Sequence, residues 1–178
     1  MQRIQSGLFY CKVTPHVSGV SAPIIRSTKN TPLKQILDAQ NITFYVRYVD
    51  DILLIYNTKH TTPEIIHSHI NKVYPNLKFT PTFEHDNSIR FLDLLIIRHT
   101  TQIEIDIFRK STTTDTTINY TSNHPTKHKM AAYCYLINRM LSLPLSTDRR
   151  IAEWHNIRII ANNNSFPLHH LAKLRAQI

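Results

Sequence analysis

The stretch Ile42-Thr43-Phe44-Tyr45-Val46-Arg47-Tyr48-Val49-Asp50-Asp51-Ile52-Leu53-Leu54-Ile55-Tyr56 decides how the chain is read. Apolar runs rich in β-branched and aromatic residues lie on either side of two adjacent acids, and each run reads as a strand. So little chain separates them that only a tight turn fits, which puts Asp50 and Asp51 at a hairpin tip. Adjacent carboxylates repel unless water solvates them or a cation shares them. Mg²⁺ suits such a place, because it takes oxygen ligands and keeps several waters. In phosphoryl transfer it bridges carboxylates and a triphosphate. On spacing and composition alone, a solvated surface turn fits the two acids equally well.

Downstream of the hairpin, Thr62-Pro63-Glu64 is a helix start, with a capping hydroxyl, proline at the first position and an acid in the first turn. Ile65, Ile66, His69, Ile70 and Val73 recur at helical spacing to about Tyr74, and Pro75-Asn76 ends the helix. Leu77–Thr80 and Thr82–Glu84 read as a strand interrupted by Pro81, and Ile89–Ile97 as a second strong strand. Gln102–Arg109 alternates, with Ile103, Ile105 and Ile107 on one face, as a half-buried strand pairing back on its predecessor does. The expected class is α+β, antiparallel strands with a packed helix, followed by a small helical bundle.

Four segments are expected. Residues 1–40 are poorly defined, broken by Pro15, Pro23 and Pro32, with a short helix over Thr31–Ala39. Residues 41–110 hold the strands, and 111–125 are a polar, hydroxyl-rich linker. Residues 126–178 hold three helical patterns: Thr126–Leu141, about Arg149–Asn162 capped by Ser146-Thr147-Asp148, and a short one opened by Phe166-Pro167. Their apolar stripes suggest a helix-turn-helix type of bundle.

Composition narrows the partners. A formal net charge of +9 over 178 residues favours a polyanion, with nucleic acid the default, although a generally basic surface has the same composition. Cys11 and Cys134 form no Cys-x-x-Cys pair, so neither a zinc ribbon nor a disulfide framework is supported. A reducing, intracellular compartment, nuclear or cytoplasmic, is the simpler expectation. Two glycines exclude a glycine-rich phosphate loop. No signal peptide and no run approaching the ~20 apolar residues of a spanning helix is visible. His124 and His128, one helical turn apart, have the spacing of a zinc pair, but no third ligand is evident nearby.

The hairpin sequence resembles the active-site hairpin of reverse transcriptases, whose palm has a Tyr-x-Asp-Asp turn between hydrophobic strands. Phe91-Leu92-Asp93 is similar to the turn of that family's primer grip. Residues Ile107–Tyr120, then Ser122-Asn123-His124-Pro125 and Asn138-Arg139, resemble the region after the palm in animal retroelement enzymes, notably Penelope-like ones, with Ser111 where proline is usual. The resemblance covers about residues 42–178. Ser18–Ile25 is a poorer match to the small-residue motif that precedes the hairpin.

The resemblance implies a partial palm followed by a thumb-like or helix-turn-helix-like domain, with RNA-directed DNA polymerase ancestry. It makes Asp50 and Asp51 ligands of Mg²⁺ or Mn²⁺ and sets Tyr48 near the primer–nucleotide junction. Phe91, Leu92 and Asp93 would hold the primer, and Lys78 would serve as general acid or remain simply solvated. Arg109, Lys110, Lys127 and Lys129 would contact phosphates or merely aid solubility. The expected partners are an RNA template, a DNA primer and a missing N-terminal half of the polymerase. Two-metal chemistry also needs a carboxylate from an earlier palm strand, and Asp38 is the only acid before Tyr48. The chain is therefore expected to be inactive alone, with metal binding weak or absent. The rival readings are a non-catalytic nucleic-acid-binding module and a pseudogene product with no selected role.

Overall fold

A computed structural model of the protein describes residues 6–15, 42–73 and 77–178. The chain divides into two compact units, Met1–Glu104 and Ile105–Ile178. The expected remnant at Ser18–Ile25, the expected helix over Thr31–Ala39, Asp38 and the helix stop at Tyr74–Asn76 lie outside the described residues.

The first unit is built on β1 (Ser6–Pro15), β2 (Ile42–Tyr48), β3 (Asp51–Asn57), α1 (Pro63–Val73) and β4 (Leu77–Phe83), followed by β5 (Ser88–Phe91) and β6 (Leu94–Arg98). The main sheet has the order β2-β3-β1-β4, every described pairing antiparallel. β3 and β4 therefore run parallel to each other with β1 between them, and α1 makes the crossover, a split β-α-β arrangement. The central strand is the one the sequence reading left undefined. Leu8, Phe9 and Cys11 are fully buried, and the run Leu8–Cys11 is hydrophobic enough for a strand enclosed on both faces.

Alternation along β1 and β3 makes two cores. Phe9, Cys11, Ile52, Leu54, Tyr56 and Phe79 face α1 and meet its Ile66 and Ile70. Leu8 and Leu53 face the other way, against Ile89 and Phe91 of β5 and Ile96 of β6. Thr62 begins α1, its carbonyl accepting the Ile66 N–H at 3.1 Å. Strand β4 runs unbroken through Pro81, because among the described residues it pairs only with β1, and an edge strand tolerates a missing donor. Its open side is partly closed by α1: Asn71 Oδ1 accepts the Phe79 N–H at 2.9 Å and His67 Nε2 donates to the Phe79 carbonyl at 2.7 Å.

The expected single strand over Ile89–Ile97 is instead a hairpin, β5-β6, turning at Leu92-Asp93 with Leu92 at φ 55°. The second sheet has the order β5-β6-β7, where β7 is Ile103–Ile107.

The second unit holds α2 (Thr126–Ser142), α3 (Thr147–Asn163) and α4 (Leu168–Gln177). α2 runs one residue past its expected end, α3 starts two residues early and ends one late, and α4 begins directly after Phe166-Pro167. Tyr133, Ile137 and Met140 of α2 pack on Ile157, Ile160 and Ala161 of α3 and on Leu171 and Leu174 of α4. Short turns at 143–146 and 164–167 join them and bury Leu145 and Phe166. Residues 111–125 are no free linker: the Thr117 and Tyr120 N–H groups both bond to Asn164, at 2.9 and 3.0 Å.

Candidate nucleic-acid interface

In the first unit, the two acids are not equivalent. The turn is Val49-Asp50, and Asp51 is already the first residue of β3, paired with Tyr48. Val49 sits at φ 50°, a left-handed conformation costly for a β-branched residue. Arg47 Nε donates to the Val49 carbonyl at 2.8 Å and braces the turn. Tyr48 and Val49 are 60% and 63% exposed, so the tip presents apolar surface to solvent.

Asp51 accepts a 2.5 Å hydrogen bond from Tyr10 Oη of β1. The Tyr10 ring meets Phe91 edge-on, centroids 6.0 Å apart. Tyr10 thus connects two residues the sequence had singled out separately, Asp51 and Phe91. Burial and the neighbouring Asp51 raise the Tyr10 phenol well above its ordinary pKa. Burial pushes the adjacent Cys11 thiol up to about 12, so it is an inert core group. Leu92, Asp93 and Lys78 are exposed.

Both acids come from a single hairpin, and one oxygen of Asp51 accepts from the Tyr10 phenol. The neighbouring strand sets Lys12 directly across from Asp51. Among the described residues no group of three His, Cys, Asp or Glu is arranged to hold a metal, His124 and His128 included.

The second unit distributes its basic residues unevenly. Arg109 pairs with Glu153 at 2.5 Å, and Arg149 pairs with Asp106. These two pairs line a cleft of about 310 Å³ beside the first turns of α3. Glu153 is only 5% exposed, so Arg109 neutralises a buried carboxylate. Lys129 Nζ donates to the Tyr120 carbonyl at 2.7 Å and lies 5.4 Å from the centre of the Tyr120 ring. Of the four cations read as phosphate contacts, Arg109 and Lys129 therefore have internal partners, while Lys110 and Lys127 are exposed.

Arg158 on α3 and Lys173 and Arg175 on α4 are also exposed, and Arg175 lies 4.7 Å over the Trp154 ring. Sequence reasoning passed over these three. Their spacing against the buried Ile157, Ile160, Leu171 and Leu174 was the available signal, since residues beside core positions at i+1 or i+2 turn outward.

Residues 116–175 match the animal helix-turn-helix domain. The match begins in the strap that bonds to Asn164, contains α2 and α3, and ends near the end of α4. Comparison with curated proteins and with solved structures returned no match. A helix-turn-helix domain on a chain of net charge +9 points to nucleic-acid binding in general.

Proposed function

We propose that this chain is a nucleic-acid-binding protein that makes its main contacts through the helix-turn-helix unit and does not polymerise on its own. The match over residues 116–175 carries this reading. Lys127, Arg158 and Lys173 supply exposed positive charge on three different helices. Contacts of this kind go to phosphates, are independent of base sequence and weaken with salt through counterion release. Titration of a labelled oligonucleotide at several salt concentrations tests it. Neutralising any one of the three to glutamine should lower the slope of log K against log salt by about one. Asp50→Ala should leave binding intact. No salt-dependent binding to any nucleic acid would overturn the proposal.

A second reading is favoured by the Tyr48–Asp51 hairpin in a sheet of order β2-β3-β1-β4 with Phe91 brought to the same end as Asp51. Under it the first unit is a partial reverse-transcriptase palm of retroelement origin, once served by Mg²⁺ and once holding an RNA template and DNA primer. Tyr10 and Lys12 beside Asp51 support loss of the chemistry. Primer extension with Mg²⁺ or Mn²⁺ should show no incorporation above an Asp50→Ala control, and incorporation above it would refute the loss.

A further inference from the structure

Two tyrosines in α2 stand two residues apart and have opposite fates. Tyr133 is fully buried, and its hydroxyl lies 2.9 Å from Thr117 Oγ1. Tyr133 also packs on Phe166 with centroids 4.3 Å apart, within an aromatic cluster that includes Tyr120 and His170. Tyr135 is 57% exposed and takes no part in that cluster.

The neighbours of Tyr135 decide what such a ring can do. A helical side chain leans toward the N-terminus and covers the preceding turn. That turn offers Tyr135 only Ala131 and Ala132, too short to cover a ring. Asn138 and Arg139, three and four residues later, share its side of the helix. His128 lies two turns before it, with Lys127 alongside, both exposed. No acid occurs anywhere in Thr126–Ser142, whereas α3 contains Asp148 and Glu153.

We propose that the outward face of α2 is a binding site for single-stranded nucleic acid, with Tyr135 as the platform on which one unpaired base stacks. An exposed ring on a helix without acids, with Asn138 and Arg139 about one turn on and His128 and Lys127 about two turns back, suits an extruded base and its phosphates. A duplex, whose bases are already stacked on each other, has no use for such a ring. The inference deepens the function proposed above and rests on it: there the unit binds phosphates of any nucleic acid, and here one helix face prefers unpaired strands.

The test is fluorescence anisotropy of the full chain with 20-nucleotide poly(dT), poly(U) and a mixed-sequence duplex at matched salt. Removing one stacking contact costs about 5- to 150-fold in affinity. Tyr135→Ala is expected to lose that much on poly(dT) or poly(U) and less than twofold on the duplex, and Tyr135→Phe is expected to retain binding. Equal affinity of Tyr135→Ala and the parent for the single strands overturns the inference while leaving the broader function standing. So does an equal loss on single strands and duplex, which would mark a general contact or a protein-docking face. Failure of the parent chain to bind any of the three probes overturns the broader function itself.

Discussion

Asn164, buried at the end of α3, accepts a 2.9 Å hydrogen bond from the backbone N–H of Thr117, 47 residues earlier. Its Nδ2 donates to the carbonyls of Asp115 and Ile160, each at 2.7 Å. One amide group thus satisfies the strap before α2 and the last turn of α3 together. An asparagine amide has both a donor and an acceptor end, and this site needs both. Asn164→Ala leaves buried partners unpaired and should destabilise the helical unit by about 2–3 kcal/mol, read by urea denaturation followed by circular dichroism. Asn164→Asp should also destabilise, because a carboxylate has no hydrogen for the two carbonyls.

The residue after it makes the opposite prediction. Ser165 sits at φ 57°, with its N–H bonded to the Asn162 carbonyl and the Phe166 N–H bonded to the Ala161 carbonyl at 2.8 Å. That is a Schellman ending, in which the left-handed position favours glycine. Ser165→Gly should therefore stabilise the protein by about 0.5–1 kcal/mol, since relief of the left-handed strain exceeds glycine's entropy cost. A lower melting temperature for this variant would contradict the geometry.

Arg109 and Glu153 form a pair whose members should not be separable without loss. Removing the guanidinium strands a carboxylate that is 5% exposed. Arg109→Ala should cost about 2–3 kcal/mol, with Arg109 discounted for its partial exposure. The double variant Arg109→Met with Glu153→Leu should be closer to the parent than Arg109→Ala, because no charge is left buried. Denaturation midpoints for the double variant and for Arg109→Met and Glu153→Leu alone measure the coupling.

Stability should fall on the alkaline side. The Cys11 thiol ionises ordinarily at 9.0 and is pushed up to about 12 by burial. The folded state therefore holds a proton that the unfolded chain releases. The corresponding stability is complete below pH 9 and disappears as pH rises from 9 to 12. Tyr10 shifts in the same direction, from an ordinary value of 10.0, and adds to the loss above that pH. Urea midpoints between pH 7 and 11.5 check this, and Cys11→Val should flatten the decline between pH 9 and 10.

Gly7 has no room for a side chain, since an added Cβ would stand 2.4 Å from the Tyr56 ring. Tyr56 is itself buried against α1, so it has little freedom to move. Gly7→Ala should destabilise the first unit by about 1–3 kcal/mol, as overpacking does, and Gly7→Ala combined with Tyr56→Leu should recover part of the loss.

The elements that were legible share one property: their signal is local. The strands flanking Asp50 declare themselves by composition, α1 by Thr62-Pro63-Glu64, and α2 to α4 by stripes repeating every three or four residues. The elements that were missed depend on distant partners. Pro81 looked like a break until β4 proved to be an edge. Composition read Ile89–Ile97 as one strand, and only the resemblance pointed to a turn at Phe91-Leu92-Asp93, where the chain reverses with Leu92 at positive φ.

What the sequence determined by itself was the α+β class, most of the locally signalled strands and helices, the helical character of the C-terminal part and the charge that suits nucleic acid. Tertiary structure alone decided that β1 is the central strand and brings Tyr10 and Lys12, with no carboxylate, to Asp51. It also decided which cations are already partnered, Arg109 with Glu153 and Lys129 with Tyr120, and which of two neighbouring tyrosines is left in solvent. The physical reason is that periodicity records which side of an element is apolar, whereas charge neutralisation and exposure depend on what another part of the chain places opposite.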